Sequence, residues 1–319
     1  MDAELIMTVK EMEDRNAWLK MRTQGIGGSD ASIIAGMNRW KSPFQLWQEK
    51  TGQVEPEELD DNEYIYWGRV LEQAVANRFT ELTGKQVHKQ GMLRNKEYPW
   101  MLANVDRMVV GEEAGLECKT TNSFAGKQWD GDNLPDAYYL QCQHYMMATG
   151  MKKWYIACLI GGNHFVWKSV ERNEEDIQAL FNLEKEFWEI NVQKGVMPDV
   201  DGTGSCTQAL RERFPGGNVE AIELPSEAEQ ILKDLDMYQE SEKQSKEKIA
   251  ELKNRLALML GDHEAGFCGD KLITWKTQKG RVTVDSKALK KEMPEIFDRY
   301  SKVGKPTRNI KISQKKEDK

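Results

Sequence analysis

The sequence has few residues of the kinds that cross-link small proteins or bind structural zinc. It contains five cysteines and four histidines among 319 residues. No two cysteines form a CxxC pair, and the histidines lie far from any zinc-finger spacing. We therefore expect neither a disulfide framework nor a structural zinc site. A chain of this length can instead bury a sizeable hydrophobic core.

Long apolar runs are also missing. The longest are stretches such as 154–160, far shorter than the roughly 20 residues of a transmembrane helix. The first residues are acidic and lack the apolar segment of a secretory signal. These features predict a cytoplasmic protein.

Positive charge is in short supply overall but unevenly distributed. Lys and Arg number 45 against 52 Asp and Glu, a net charge of -7. This balance disfavours a general nucleic-acid coat, but it allows an enzyme with an acidic metal site and a local basic path for phosphates. Residues 55–63 are strongly acidic, whereas residues 285–319 carry eleven basic against six acidic side chains. That basic terminus fits either phosphate contact or a solvated tail.

Hydrophobic periodicity predicts an α/β (α+β) core, followed by a helical arm. We expect a core domain at 1–195, a linker at 196–225, and a C-terminal region at 226–319 with a long helix and a hairpin. Helices are predicted at 8–23, 43–49, 68–83, 122–129, 136–149, 174–194, 226–259 (capped by Ser226) and 286–293. After a turn at 25–30, Ser29 or Asp30 is predicted to cap a further helix that runs through Ala35. The predicted strands cover 86–93, 101–110, 115–120, 153–160 and 163–170, with the hairpin at 271–284.

The triplet Glu117-Cys118-Lys119 is the strongest candidate for chemistry. Strand periodicity places Glu117 and Lys119 on one face and Cys118 on the other. Asp106 ends the preceding apolar stretch and comes beside Glu117 if the two strands pair antiparallel. Two carboxylates and a backbone carbonyl, here that of Cys118, suit Mg²⁺. A bound metal would activate water for attack on a phosphodiester, while Lys119 orients or deprotonates that water or stabilises the developing charge.

The triplet by itself is not specific. The chain also contains Glu251-x-Lys253 and Asp285-x-Lys287. The first lies in a predicted helix, where residues two apart do not share a face, and the second resembles a helix cap. The alternative interpretation of Glu117-x-Lys119 is a solvated strand face with a cross-strand ion pair. Favourable context comes from a helix carboxylate, Glu72, and from two glutamines on a later helix, although both could simply be polar helix faces.

The order of these motifs resembles that of the YqaJ viral recombinase family over about residues 15–190. The matching residues are Gly27-Gly28-Ser29-Asp30, Trp67-Gly68, Glu72, Asp106, Glu117-x-Lys119 and Gln141-x-Gln143. That family belongs with the lambda-exonuclease-like enzymes of the PD-(D/E)xK nuclease superfamily. The resemblance implies a restriction-endonuclease-like core, a mixed central sheet flanked by helices. It further implies 5′-to-3′ resection of double-stranded DNA with Mg²⁺ (or Mn²⁺), leaving a 3′ strand for an annealing recombinase.

The resemblance also implies roles for individual residues. Asp106 and Glu117 would be metal ligands, Lys119 the catalytic lysine, Glu72 a helix carboxylate near the metal, and Gln141 a supporting glutamine. The sequence departs from the superfamily name in one respect, because the residue before Asp106 is not proline.

The resemblance further implies a binding site for the DNA end. Arg22 and Ser29 resemble the pair that holds the 5′-phosphate in lambda-type exonucleases, and a guanidinium with a hydroxyl suits a terminal phosphate. A solvated Arg22 at the end of a helix is the alternative. Family members can form rings around DNA, so a homo-oligomer is a further expectation. If the protein is encoded by a phage or prophage, its compartment would be the host bacterial cytoplasm.

Three functions remain open from the sequence. The first is an end-dependent exonuclease, the second an endonuclease or repair nuclease of the same fold, and the third a recombination scaffold without catalysis. Two other residues stand apart from these motifs. Trp40, between two basic residues, is the best tryptophan for contact with DNA, and His144 has no second ligand nearby and is interpreted as structural.

Overall fold

The computed structural model describes residues 1–55, 62–304 and 307–313. Most of the acidic stretch 55–63 and the basic residues 314–319 therefore lie outside the described residues. The chain divides into two compact units, Met1–Pro215 and Gly216–Lys319. The domain boundaries that the sequence indicates at residues 195 and 225 stay predictions.

The first unit contains eight strands and seven α-helices within its described part. The strands are β1 Ala3–Met7, β2 Val87–His88, β3 Met92–Asn95, β4 Leu102–Ala103, β5 Arg107–Val109, β6 Ala114–Thr121, β7 Lys153–Ile160 and β8 His164–Glu171. The helices are α1 Arg15–Arg22, α2 Gly28–Ile34, α3 Pro43–Lys50, α4 Glu63–Thr83, α5 Asp136–Thr149, α6 Glu174–Glu186 and α7 Gly204–Arg213.

Five strands form a mixed central sheet in the order β2-β5-β6-β7-β8. β6 and β7 run parallel, and the other neighbours are antiparallel. A smaller antiparallel sheet contains β1, β3 and β4. The predicted mixed sheet flanked by helices is thereby confirmed.

Helices cover both faces of the central sheet. On one face Val75 and Phe79 of α4 pack with Leu116 of β6. On the other face α5 packs with Trp154 of β7. The indole ring of Trp154 lies over Gly115 of β6, where an added Cβ would be only 2.1 Å from the ring. Only glycine fits there, and the close packing holds β6 firmly between the helical layers.

The predicted strand 101–110 is wrong as a continuous element. Residues 102–103 pair in the small sheet and residues 107–109 in the central sheet, with a break at 104–106. The Asn104 carbonyl accepts a hydrogen bond from the Tyr145 hydroxyl at 2.8 Å instead of a strand neighbour. The predicted strand 86–93 divides in the same way. Periodicity does not show the break at 104–106 because apolar residues continue on both sides of it.

Several helix predictions also need correction. The helix predicted at 8–23 is a 3₁₀ turn at Glu11–Glu13 followed by α1, because the Asp14 side chain caps a new helix at the Ala17 amide. Gly27, and neither Ser29 nor Asp30, is the N-cap of α2. The predicted helix 122–129 is a 3₁₀ turn at Ala125–Trp129, and α6 continues as a π-helix over Phe187–Val192.

The region after residue 195 is partly folded into the first unit. Helix α7 buries Cys206 and Ala209 in the main core, within the stretch predicted as a linker. The periodicity of so short a helix is weak, so the sequence predicted only a linker there.

The second unit contains a long helix, a hairpin and two short helices. These are α8 Glu227–Leu260, β9 Ala265–Cys268, β10 Lys271–Thr274, α9 Ser286–Glu292 and α10 Pro294–Tyr300. The predicted hairpin at 271–284 is wrong, because β10 is its second strand and the turn contains Gly269 with a φ of +60°. Ser226 precedes α8 but its side chain makes no cap hydrogen bond. No helix in the described part of the chain is long and apolar enough to cross a membrane.

Candidate active site

Asp106 lies where β5 and β6 separate. The two strands pair at Arg107–Leu116 and Met108–Gly115, so the next position brings Asp106 opposite Glu117. There Asp106 Oδ2 accepts a hydrogen bond of 2.7 Å from the Cys118 amide. A carboxylate thus takes the place of a strand carbonyl, and the second carboxylate oxygen is left at the edge of the sheet.

Glu117 and Lys119 lie together on the α5 side of β6, as the strand period predicts. Lys119 Nζ donates to Glu117 Oε1 at 2.6 Å. Cys118 points to the other side and packs against the α4 cluster. The predicted division of the triplet between two faces is correct.

Gln141 of α5 connects this pair to the helix. Its Nε2 donates to Glu117 Oε1 at 2.8 Å, and its Oε1 accepts from Lys119 Nζ at 3.0 Å. The same Nε2 also lies 2.9 Å from the hydroxyl of Tyr145. One amide therefore fixes the positions of both charged groups, and Tyr145 is a supporting residue that the sequence did not reveal.

Glu72 reaches the same cleft from α4, but it is held by a residue that sequence reasoning missed. Arg107 Nη1 lies 2.5 Å from Glu72 Oε1 and 2.6 Å from the Asp106 carbonyl, and Nη2 donates to Gln73 at 3.1 Å. The Arg107 side chain is almost completely buried. A charged residue at the start of an otherwise apolar strand, directly after Asp106, was the available signal.

The electrostatics of the cleft favour binding of a cation. Burial, and then the charges of Glu117 and Glu72, raise the pKa of Asp106 well above its usual value. Burial lowers the pKa of Lys119, but Glu117 and Asp106 outweigh that effect and raise it above its usual range. Lys119 therefore stays charged while the carboxylates repel one another, and an additional cation would relieve that repulsion.

A divalent cation fits the groups at this edge. Glu117 Oε2 is buried and has no hydrogen-bond partner among the described residues, which is costly for a carboxylate oxygen unless an ion binds it. Because the N–H and C=O of one strand residue face the same edge, the Cys118 carbonyl faces the Asp106 side. Among the described residues no ready-made group of three His, Cys, Asp or Glu ligands occurs. Asp106, Glu117 and the Cys118 carbonyl would therefore hold the ion with water molecules.

Two neighbouring cavities connect this edge to Arg22. The first, of about 360 Å³, is lined by Glu72, Asp106, Glu117 and Lys119. The second, of about 590 Å³, is lined by Arg22 among others. The two cavities share the wall residues Ile65, Arg69 and Glu72.

Arg22 and Ser29 lie together at the second cavity. Arg22 Nη2 donates to Ser29 Oγ at 2.9 Å. Below them Asp30 is buried and lies 2.7 Å from Lys50 Nζ and 3.5 Å from Arg22. Burial raises the pKa of Asp30, but the charges of Lys50 and Arg22 outweigh burial and lower it to about 2. Asp30 thus anchors the Arg22 side chain from beneath, a role that the predicted helix cap did not anticipate.

The two residues considered outside the motifs lie as follows. His144 is buried, with Nδ1 2.8 Å from Glu184 and Nε2 2.9 Å from the Leu102 carbonyl, which agrees with a structural role. Trp40 is 77% exposed and its ring contacts the Arg39 guanidinium. Its contact with DNA stays a prediction.

The acidic, lysine-containing cleft at the edge of the mixed sheet lies within the part of the chain that matches a known family. The model of the YqaJ-like viral recombinase domain matches residues 17–152. The uncharacterized protein YqaJ of Bacillus subtilis (strain 168) is 40% identical over 304 residues, which is 94% of either chain. The chain belongs to this YqaJ-like family.

More distant similarities extend to a virus and to solved structures. The uncharacterized protein R354 of Acanthamoeba polyphaga mimivirus is 21% identical over 162 residues, 46% of this chain and 29% of that protein. An alkaline exonuclease from Laribacter hongkongensis is 17% identical, with a TM-score of 0.44 over 56% of this chain and 98% of its own. A putative exonuclease from Eubacterium rectale is 13% identical, with a TM-score of 0.45 over 70% and 96%.

Proposed function

We propose that this protein is a Mg²⁺-dependent exonuclease, also served by Mn²⁺, that degrades double-stranded DNA from 5′ ends. The 3′ single strands left behind would be used by an annealing recombinase in phage-type recombination. The observation that carries the metal dependence is the buried, unpartnered Oε2 of Glu117 beside the buried carboxylate of Asp106.

Asp106, Glu117 and the Cys118 carbonyl hold the cation in this proposal. When bound, the cation lowers the pKa of a coordinated water and offsets charge on the phosphate in the transition state. The attacking water oxygen forms a bond to phosphorus, the bond to the 3′ oxygen of the released nucleotide breaks, and that oxygen takes up a proton. The remaining strand keeps a 5′-phosphate for the next cycle.

Lys119 and Gln141 act on the same step through their positions. The Lys119 ammonium, 2.6 Å from Glu117 and 3.0 Å from Gln141, can orient the water and stabilise negative charge on the phosphate. Gln141 holds the Glu117 carboxylate and the Lys119 ammonium in position through its two hydrogen bonds. Glu72, held by Arg107, adds negative charge at the cleft.

Arg22 and Ser29 bind the 5′-terminal phosphate in this proposal. A guanidinium and a hydroxyl at hydrogen-bond distance present several donors to one phosphate, and their cavity adjoins the catalytic cavity. An enzyme that binds the terminal phosphate needs an end, which distinguishes it from the endonuclease alternative.

The catalytic assignment is tested with Glu117→Gln and Lys119→Met on linear duplex DNA with Mg²⁺ and with chelator. We expect activity to fall roughly a thousandfold or more in both variants and in chelator, with circular dichroism unchanged. The control is Glu251→Gln, which alters a Glu-x-Lys triplet exposed on α8. Full activity of both site variants would contradict the assignment, and the non-catalytic scaffold would show no magnesium-dependent cleavage at all.

The requirement for an end is tested with three substrates. We expect rapid degradation of 5′-phosphorylated linear duplex, slower degradation of the 5′-hydroxyl duplex, and none of covalently closed circles. Arg22→Ala should remove the preference for the phosphate, whereas Lys20→Ala on the same helix should retain it. Cleavage of closed circles would identify an endonuclease instead.

A further inference from the structure

Helix α8 exposes an apolar stripe that lacks a partner among the described residues of the second unit. The helix has 34 residues, and none of its side chains is buried. Ile249, Leu252 and Leu256 are 52, 47 and 41% exposed. Leaving such side chains in water forgoes about 25 cal/mol for each Å² of apolar surface. The stripe is thus a candidate contact surface.

The apolar residues of this stripe follow a coiled-coil heptad. Alternating spacings of three and four residues connect Ala228, Ile231, Leu235 and Tyr238, and then Ile249, Leu252, Leu256 and Met259. Between these two groups the same spacing falls on Glu242 and Ser245. Such a pattern, continued over five heptads, is typical of helices that pair along a seam. We call these ten positions the heptad seam.

Charge is divided between the two halves of α8. Residues 227–242 carry six acidic and one basic side chain, and residues 243–260 carry five basic and two acidic ones. Two such helices attract each other when their directions are opposite, because the acidic half of one then faces the basic half of the other. In parallel alignment like charges face each other.

We propose that the heptad seam of α8 pairs with the seam of a second copy of this chain, in an antiparallel coiled coil. With full overlap, Glu227 of one copy lies opposite Leu260 of the other. Glu242 then lies opposite Ser245 of the second copy, so the two polar positions share the central layers. All other layers are apolar, such as Leu235 opposite Leu252.

The parallel alternative is disfavoured by two specific contacts. It would bring Glu242 against Glu242 in the core of the seam and Lys248 beside Lys253 at its flank. The antiparallel pair instead brings Asp234 beside Arg255 of the second copy. Because like charges are avoided and an opposite pair is gained, charge selects both the partner and its direction.

The pairing is tested by light scattering of the full chain. We expect a mass of twice 36.7 kDa, and a monomer for Ile249→Glu/Leu252→Glu, with the dissociation constant raised at least a hundredfold. The control is Ala250→Glu/Asn254→Glu, which adds the same charge outside the seam and should remain dimeric. A wild-type monomer at tens of micromolar, or a seam variant that stays dimeric, would overturn the proposal. Unchanged DNA cleavage by the monomeric variant would show that the nuclease unit is intact.

The direction is tested by disulfide cross-linking of the full chain in a Cys268→Ser background. An equimolar mixture of Leu235→Cys and Leu252→Cys chains should form a cross-linked dimer on mild oxidation, and neither variant should do so alone. Self-cross-linking of each variant without preference for the mixture indicates a parallel pair and overturns the antiparallel arrangement.

Discussion

Asp106, one residue before the last paired position of β5, accepts a hydrogen bond of 2.7 Å from the backbone amide of Cys118 in β6. This contact keeps the two strands together where the sheet ladder ends. It also directs the Asp106 carboxylate toward Glu117 and the open edge. The position of the Asp106 carboxylate in the cleft therefore depends on β5 ending its pairing with β6 at Arg107.

Asp106→Asn should remove activity but stabilise the metal-free protein. Because burial, Glu117 and Glu72 raise the pKa of Asp106, the folded state binds a proton more tightly than the unfolded state. The Asp106 side chain therefore destabilises the folded protein as the pH rises above the pKa that this group has in the unfolded chain. We expect the variant to gain roughly 1 kcal/mol at pH 8 and to lose that advantage near pH 4. Thermal unfolding across this pH range measures the difference.

Thermal unfolding with magnesium provides a second test of the same variant. The metal should raise the melting temperature of the wild-type protein by mass action on the folded state. It should leave Asp106→Asn unchanged. An equal shift in both proteins would mean that Asp106 does not bind the ion.

Gln141 and Gln143 should respond to alanine substitution in opposite ways. Gln141 contacts Glu117 and Lys119, whereas Gln143 bonds the Glu171 carbonyl and the Asn173 amide. We expect Gln141→Ala to lower the cleavage rate about 10–100-fold, the usual effect of losing a supporting contact. Gln143→Ala should mainly lower stability, by about 1–3 kcal/mol. Single-turnover rates and urea unfolding of both variants separate the two roles, and equal rate losses would contradict them.

Asp30 should make stability sensitive to acid. Its pKa of about 2 lies below the unfolded value of 3.8. Because folding lowers the pKa of Asp30, its carboxylate stabilises the folded protein above pH 3.8, and this contribution is lost as the pH falls through 2. The loss is about 2 kcal/mol. Asp30→Asn should flatten this part of the pH profile and cost about 3–5 kcal/mol near neutrality, because Lys50 is left buried without its partner.

A second aspartate provides the control for that measurement. Asp14 also bonds a backbone amide at the start of a helix, but it has no buried ammonium beside it. Asp14→Asn should therefore change stability little near neutrality. An identical acid profile for Asp30→Asn and wild type would contradict the role of the Asp30–Lys50 pair.

His144 should affect stability without affecting chemistry. It is buried between Glu184 and the Leu102 carbonyl, so His144→Ala leaves a buried carboxylate without its partner. We expect a loss of about 3–5 kcal/mol, measured by urea unfolding. Cleavage at a temperature where the variant stays folded should be normal. A large rate loss in fully folded His144→Ala would instead indicate a functional role.

Local periodicity predicted from the sequence which charged side chains of the cleft lie together. Alternation along a strand put Glu117 and Lys119 on one face, and the short connection to β5 put Asp106 opposite Glu117. The same reasoning rejected Asp285-x-Lys287, whose aspartate does cap α9. These features are encoded within about a dozen residues, so backbone geometry alone suffices to predict them.

Contacts between distant segments could be decided only by the tertiary structure. Glu72 and Arg107 are 35 residues apart, and nothing in either local pattern indicates that they meet. The break at 104–106, which frees Asp106 from the sheet, is equally invisible because apolar residues continue on both sides of it. The sequence by itself determined which side chains share a strand face. The packing of α4 and α5 over the sheet decided which charges are buried together, because burial and pairing depend on groups far apart in the chain.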